Sequence, residues 1–137
     1  MTFESINAIT VATDDMPASV AFYTALGLEV DYGGPSASFT SYRIGPHDHL
    51  NVIRAPAGVP SDVGADSALA SRDSELAAQR RWWGRVILYV SDVDATYHRA
   101  LEHDLRPLAP PRDAEWHERY FHIHDPDGHE ISIAKPL

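Results

Sequence analysis

Histidine is the side chain of this sequence with the most direct capacity for metal binding or proton transfer, and two closely spaced pairs stand out among the eight histidines. His122 and His124 are two residues apart, and so are His47 and His49. Alternate residues of a strand point to the same side, so each pair could chelate a metal ion. We favour a polar, solvated surface for both pairs, because His47 and His49 adjoin a Gly-Pro turn, and His122 and His124 lie on the polar side of their strand.

A hairpin must position the pair of His122 and His124. His124 runs directly into the turn Asp-Pro-Asp-Gly at 125–128, where the proline presets φ and the glycine can take a positive φ at no steric cost. Residues 120–124 and 129–134 alternate apolar with polar side chains, which is typical of strands with two different faces. We expect His129, just after the turn, to satisfy a local hydrogen bond.

The composition excludes several classes of protein. The chain has 137 residues, 44% of them hydrophobic and 23% charged, which is ordinary for a globular protein. It has no cysteine, which excludes disulfide and thiol chemistry and fits a cytoplasmic location. A net charge of −9 argues against a nucleic-acid partner. No apolar run reaches membrane-spanning length, and the first residues lack a basic signal-peptide start, so we expect no membrane partner.

Residues 1–56 predict a β-α-β-β-β module. The helix has Asp15 as its N-cap and Gly27 as its C-terminal stop, with an apolar stripe between them. The predicted elements are a strand at 6–13, a helix over 18–26 and further strands at 28–32, 38–44 and 49–54.

The same pattern returns in residues 83–137, after a linker at 57–82 with a short helix over 73–81 that Ser71 caps. The predicted elements of this second module are a strand at 83–90, a helix over 93–101 and strands at 106–109, 118–124 and 129–134. In both modules a strand runs through an aspartate into an amphipathic helix, which is an internal repeat. We therefore predict an α+β fold of two βαβββ modules, with paired curved mixed sheets around a central cleft and the helices outside.

Two segments of the repeat resemble a known superfamily. Residues 11–23, followed by Leu-Gly at 26–27, look like the opening of the vicinal oxygen chelate superfamily. Residues 116–129 are similar to its closing strand pair, in which an aromatic residue, an arginine and alternating apolar residues precede the Asp-Pro-Asp-Gly turn. The superfamily includes glyoxalase I, bleomycin-resistance and fosfomycin-resistance proteins and extradiol dioxygenases.

The resemblance implies a metal position. In the superfamily's enzymes, His, Gln or Glu side chains from the first and last strands of each module hold a divalent metal, and the matching positions here are Ala8, Asn51, Arg85 and Ser132. Ala8 has no donor atom, Asn51 has only an amide oxygen, and Arg85 is a fixed positive charge that repels a metal ion. We therefore expect a member without the usual metal centre, and no cofactor.

A cavity at that position could still bind a ligand. By strand alternation, the concave side carries Thr10, Asn51, Ile53, Arg85, Ile87, Tyr89, Glu130 and Ser132. A buried Arg85 without a partner would be costly, which leaves three alternatives: pairing with Glu130, pairing with an anionic group of the ligand, or exposure to solvent.

Three tryptophans lie just before predicted strands. Trp82, Trp83 and Trp116 are placed to wall the mouth of a cavity or to stack on a planar ligand; the alternative is packing in the core or in a dimer interface. The candidate ligand-binding residues are Asn51, Trp83, Arg85, Tyr89, Trp116, Glu130 and Ser132.

Two classes of function follow from these residues and the resemblance. We favour a protein that binds or sequesters a small organic molecule, similar to the bleomycin-resistance branch, whose acidic surface and aromatic cleft suit cationic, planar compounds. The alternative is a metal-dependent glyoxalase-type lyase or isomerase, or an extradiol dioxygenase-like enzyme, in which the metal is a Lewis acid. A metal-free enzyme with Glu130, His122 or Tyr89 as acid or base stays open. The resemblance and the open edges of curved sheets also imply a homodimer.

Overall fold

The computed structural model describes residues 2–55 and 82–137, and in them the order β-α-β-β-β occurs twice. The elements are β1 (Ala8–Thr13), α1 (Met16–Leu26), β2 (Val30–Tyr32), β3 (Phe39–Arg43), β4 (His49–Arg54), β5 (Arg85–Tyr89), α2 (Val93–Glu102), β6 (Arg112–Asp113), β7 (Glu118–His124) and β8 (Glu130–Pro136). Neither of these helices is long and apolar enough to cross a membrane. The predicted helix over 73–81, its Ser71 cap and nearly all of the predicted linker lie outside the described residues.

Each module folds into one four-stranded mixed sheet. The strand orders are β1-β4-β3-β2 in the first sheet and β5-β8-β7-β6 in the second. In each sheet the first and last strands of the module pair in parallel, and the other neighbours pair antiparallel. The equal order and directions confirm the internal repeat and the predicted α+β class with two βαβββ modules.

The two helices begin in the same way. The side chain of Asp15 accepts a hydrogen bond from the Ala18 amide at 3.0 Å, and that of Asp92 accepts one from the Ala95 amide at 2.9 Å. Such N-caps satisfy amides that have no partner within the helix. Helix α1 ends at Gly27, whose φ of 117° is left-handed, as predicted for its C-terminal stop.

One hydrophobic core joins the two modules between the helices and the sheets. The strands contribute alternate residues to it, among them Val11, Leu50, Val52, Val86, Leu88, Phe121, Ile123, Ile131 and Ile133. Burying such a side chain stabilises the fold by about 1.5–3 kcal/mol before the entropic cost of ordering the chain. The intervening residues point away from the helices, and we call that side of each sheet its open face.

The short edge strand of the second sheet lies later than the sequence predicted. We expected it at 106–109, whereas β6 is formed by residues 112–113. Prolines at 107, 110 and 111 have no amide hydrogen and cannot donate to a strand ladder. The predicted segment contacts β7 through the amide of Leu108, which donates to the carbonyl of His122 at 2.8 Å.

The turn between β7 and β8 has the geometry that its residues predicted. The amide of Gly128, at a φ of 87°, donates to the carbonyl of Asp125 at 3.0 Å. One carboxylate oxygen of Asp125 accepts from the amides of Asp127 and His129, each at 2.9 Å. Its other oxygen accepts from the buried hydroxyl of Tyr23 at 2.7 Å, so the turn is tied to the first module.

Further side chains connect the modules. The guanidinium of Arg99 on α2 donates to the carbonyls of Ala25 and Thr24 at the end of α1, at 3.0 and 3.4 Å. The Nε2 atom of His129 lies 2.8 Å from the carbonyl of Ala12. We expected His129 to form a local hydrogen bond, and its amide does so with Asp125. Its ring, however, also reaches across to the first module.

Candidate functional site

The side chains of the second sheet's open face, most of them polar or aromatic, form three rows across the strands. The strand register gives these rows as Arg85, Glu130 and His124; then Ile87, Ser132 and His122; then Tyr89, Ala134, Tyr120 and Arg112. Directly paired residues of neighbouring strands point to the same side of a sheet, so the three rows make one continuous surface. We call it the second open face.

The first row holds an ion pair. The Nε atom of Arg85 donates to a carboxylate oxygen of Glu130 at 2.6 Å, and the indole of Trp82 donates to the same oxygen at 3.4 Å. The His124 Nε2 atom lies 3.5 Å from the other oxygen. Burial is the largest single effect and opposes ionisation, but the hydrogen bond from Arg85, its positive charge and smaller effects of His122 and Trp82 together outweigh it and hold the pKa of Glu130 below its ordinary value. Of the three alternatives that the sequence left open for Arg85, the structure has the pair with Glu130.

The second row contains an imidazole in a positive environment. Burial is the largest cause that lowers the pKa of His122, and the positive charge of Arg85 is the next. Glu130 opposes this effect, and Arg112 adds to it. His122 is therefore uncharged at neutral pH, with one ring nitrogen that donates and one that accepts hydrogen bonds.

An aromatic run follows β7 toward the sheet edge. The ring centroids of Trp116 and Tyr120 are 5.6 Å apart, and those of Tyr120 and His122 are 5.0 Å apart. Arg112 donates to the Tyr120 hydroxyl at 2.7 Å, and its guanidinium carbon lies 5.2 Å from the centroid of that ring. These contacts place a cation beside a row of rings, which can take a planar molecule.

The adjacent residues Trp82 and Trp83 contact different parts of the molecule. Trp82 contacts the ion pair, with its ring centroid 5.5 Å from the guanidinium carbon of Arg85. The indole of Trp83 instead donates to the Nδ1 atom of His129 at 2.9 Å, near the junction of the modules. Packing in the core is excluded, because Trp82, Trp83 and Trp116 are 54%, 52% and 63% exposed.

The other candidates are divided between the two sheets. The hydroxyl of Tyr89 donates to Glu118 at 2.8 Å on the second open face. Asn51 lies on the open face of the first sheet, where its amide nitrogen donates to the Thr10 hydroxyl at 3.3 Å. A groove of about 680 Å³ between the edge strands β1 and β5 has Ala8, Arg85 and Tyr89 in its wall. The structure thus brings Ala8 and Arg85, the matching positions of the repeat, to one groove.

The residues present do not fit the superfamily's metal. Ala8 offers a methyl group, and Arg85 presents a cation already paired with Glu130. Ser132 is 4% exposed and offers a neutral hydroxyl, which is a weak ligand for a divalent ion. Across residues 2–55 and 82–137, no group of three or more His, Asp or Glu side chains is arranged to hold a metal ion.

Four residues of the second open face were not in our list of ligand-binding candidates: Trp82, Arg112, Tyr120 and His122. The sequence analysis had considered Trp82 and His122 for other roles, but it had not named Arg112 or Tyr120. The alternation of β7 contains the signal for two of them, because Tyr120 and His122 share a side with His124. Arg112 had no such signal, since neighbouring prolines hide the strand that carries it.

The chain matches one family model along most of its length. The matching family is described as the Glyoxalase/Bleomycin resistance protein/Dioxygenase superfamily, and the match covers residues 5–133. The chain therefore belongs to this superfamily. No curated protein matches it.

Solved structures share the same fold. A glyoxalase/bleomycin resistance protein/dioxygenase from Nocardioides is 23% identical over 100% of this chain and 86% of its own, with a TM-score of 0.64. TioX from Micromonospora sp. ML1 is 20% identical over 98% of this chain and 100% of its own, with a TM-score of 0.68. A bleomycin-binding protein complexed with bleomycin is 17% identical over 98% of this chain and 100% of its own, with a TM-score of 0.65. At these identities the likeness is one of fold.

Proposed function

We propose that this chain is a small-molecule-binding protein that sequesters or binds a small organic ligand without the usual metal centre of its superfamily. The ligand lies on the second open face, where Arg85, Glu130, Ser132 and Tyr89 supply polar contacts and Trp116 supplies an apolar surface. Asn51, on the first sheet, and Trp83, beside His129, are the other two candidate contacts.

The ion pair of Arg85 and Glu130 is the observation that carries the proposal. A guanidinium held at 2.6 Å from a carboxylate occupies a position where the superfamily's enzymes present a metal ligand. Such a cation repels a divalent metal and offers directional hydrogen bonds to a ligand oxygen in its place. Among the side chains of residues 2–55 and 82–137, the alternative of a metal-dependent lyase, isomerase or dioxygenase has no comparable support.

Similar folds in ligand-bound form also support binding. The bleomycin-binding protein named above carries bleomycin on the same fold. That likeness does not identify the ligand of this chain, because it reaches only 17% identity. It supports the coarser proposal that a chain of this architecture can bind an organic molecule.

We further propose a homodimer in a cytoplasmic location. Large apolar side chains are exposed on the open faces, including Ile87 at 57% and Tyr89 at 59%. Both residues lie on the edge strand β5, and exposed apolar surface at a sheet edge is typical of a place that a partner covers, while the aromatic run on β7 at the other side of the sheet is left to the ligand. The absence of cysteine fits a reducing compartment.

Elemental analysis with a gain-of-function control tests the missing metal centre. Protein purified without a histidine tag and dialysed should hold well under one transition-metal ion per chain. The matched control restores the donor types of the superfamily with Ala8→His, Asn51→Glu, Arg85→His and Ser132→Glu, and this variant should bind added Zn²⁺ or Ni²⁺.

Two results would contradict the proposal. One is a full metal equivalent in the unaltered protein that survives dialysis and is lost on Asn51→Ala. The other comes from native mass spectrometry of the purified protein: turnover of a co-purified small molecule into a new product would make the chain an enzyme.

A further inference from the structure

Resting on the proposed binding function, we infer that the ligand of the second open face is an aromatic acid, a planar ring system that carries a carboxylate or a similar anionic group. The exposed ring of Trp116, which packs on Tyr120 and continues the row toward His122, receives the rings. Arg112 receives the anionic group and determines the specificity of the site.

Of the two arginines on this face, Arg112 is the one that can bind an anionic ligand group. The charge of Arg85 is compensated by Glu130 at 2.6 Å, with Trp82 packed against the pair. The Nε atom of Arg112, in contrast, donates to the neutral hydroxyl of Tyr120 at 2.7 Å. Among the described residues, Arg112 forms no ion pair with a carboxylate. Its two terminal nitrogens are therefore available for a carboxylate, which a guanidinium binds through paired, charge-assisted hydrogen bonds.

The nearby acidic side chains already have donors. Asp113, the strand neighbour of Arg112, accepts from Arg119 at 2.9 Å. Glu118 keeps its negative charge, because its donor is the neutral hydroxyl of Tyr89 at 2.8 Å, but among the described residues it forms no ion pair with Arg112. An anionic ligand group would therefore be a direct counter-charge for Arg112.

The nearest charges matter more for the ligand than the net charge of −9, which by itself would favour a cationic ligand. At physiological salt, exposed charges further apart than about 8 Å are largely screened. On the second open face the charge of Arg85 is balanced by Glu130, whereas Arg112 contacts the neutral hydroxyl of Tyr120. The positive charge beside the aromatic run is therefore that of Arg112.

The aromatic run fixes the shape of the ligand. Trp116 is 63% exposed and lies 5.6 Å from Tyr120, with the two rings inclined by 32°. Tyr120 itself is only 8% exposed, so a planar molecule would stack on Trp116 and end beside the guanidinium of Arg112, whose central carbon is 5.2 Å from the centroid of the Tyr120 ring. A ring and an acid in one rigid molecule satisfy both features together.

Three probes of one shape and different charge test this inference. Titrations of the full chain followed by NMR would use 2-naphthoate, the neutral 2-naphthamide and the cationic 2-naphthylmethylamine at pH 7. We expect 2-naphthoate to bind about tenfold or more tightly than 2-naphthamide, and the amine to bind more weakly than the amide. The shifted resonances should include the Trp116 indole and the His122 ring.

Matched variants assign the effect to one guanidinium. Arg112→Gln should bring the affinities for 2-naphthoate and 2-naphthamide to within about twofold of each other, while Arg112→Lys should keep part of the preference. Arg54→Gln makes the same charge change on an exposed arginine of the first sheet and should leave the preference intact. Trp116→Leu should weaken all three probes alike, because each loses the same stacking contact.

The outcomes separate the inference from the proposed function. Equal binding of the acid and the amide, or a preference that survives Arg112→Gln, would overturn the aromatic acid and leave a binding face in place. If no probe shifts any resonance of the second open face, the proposed function fails together with the inference.

Discussion

Arg85 and Glu130 show how one ion pair can determine the chemistry of a whole face. Glu130 is 9% exposed, and an ionised carboxylate at that depth needs a positive charge beside it. Arg85 supplies that charge through the hydrogen bond from its Nε atom to a carboxylate oxygen of Glu130. Without the pair, burial would favour the protonated form of Glu130. The two residues are thus a unit whose charge cancels.

Arg85→Met tests the pair as a unit. It should lower the free energy of unfolding at pH 7 by about 1–2 kcal/mol, less than the roughly 3–5 kcal/mol of a fully buried pair, because the Arg85 side chain is 38% exposed. Arg43→Met is the matched control: its pair with Asp31 is 3.1 Å long and more exposed, so its loss should cost less than about 1 kcal/mol. Urea denaturation of both variants measures the difference, and equal costs would contradict this account.

The pair also sets a dependence on pH. The pKa of Glu130 is lowered in the folded protein, so its stabilising contribution is present above its unfolded pKa and is lost as the pH falls through the folded one. In Arg85→Met, burial should raise the pKa of Glu130 above its unfolded value, and stability should then fall as the pH rises through that range. Denaturation curves between pH 3 and 6 should show the free energy of unfolding rising with pH in the unaltered protein and falling with pH in Arg85→Met. Glu130→Gln should remove both dependences on pH.

At the level of single residues, the sequence predicted the second open face only where strand alternation was visible. It placed Arg85, Glu130 and Ser132 on one side, but it could not choose among the partners of Arg85, because side-chain pairing depends on packing. Trp82 and Trp83 are neighbours in the chain with different contacts, and no sequence pattern distinguishes them. Arg112 stayed hidden because its strand is two residues long and follows two prolines.

The turn between β2 and β3 depends on two adjacent glycines with different surroundings. Gly33 has a φ of 87°, and a Cβ atom there would overlap the carbonyl oxygen of Phe39. Gly34 has a φ of 141°, but a Cβ atom there would meet nothing within 4 Å. The pair therefore separates backbone strain from steric overlap.

Alanine substitutions measure the two effects. Gly34→Ala should cost about 1–2 kcal/mol, the strain of an unfavourable φ alone. Gly33→Ala should cost roughly 2–5 kcal/mol, because the turn must also shift away from the Phe39 carbonyl. Thermal or urea denaturation of both variants tests this order, and a Gly34→Ala cost equal to or greater than that of Gly33→Ala would refute it.

Elements with strong local signals were predictable, and those without were not. Both helices were found because an aspartate N-cap precedes an apolar stripe, and Asp15 and Asp92 cap them in the structure. The β7–β8 hairpin followed from its turn residues, although β8 extends two residues beyond the predicted end. The edge strand was misplaced to 106–109, because a two-residue strand is defined by its pairing with β7 and has no pattern of its own.

The homodimer is a prediction about the whole molecule. Ile87 lies on the edge strand β5, at the side of the second open face away from the aromatic run, and is 57% exposed, so Ile87→Lys should prevent a partner from covering that edge and give a monomer. Leu101→Lys is the matched control, since Leu101 is 46% exposed on α2, on the helix side of the sheets. Sedimentation at micromolar concentrations should find a dimer for the unaltered chain and for Leu101→Lys. A monomer in all three samples would rule out the dimer.

The hydrogen bond between Tyr23 and Asp125 has a consequence for the order of events during synthesis. The two residues are 102 positions apart, so at about 5–20 residues per second roughly 5–20 seconds pass between their additions to the growing chain. Until Asp125 has been added, the Tyr23 hydroxyl lacks the carboxylate that accepts its hydrogen bond, and burying the hydroxyl without a partner costs about 1–3 kcal/mol. The end of α1 likewise waits for Arg99 to reach its carbonyls. On the ribosome, the first module is therefore a weaker unit than in the finished chain, and side chains from the second module complete it.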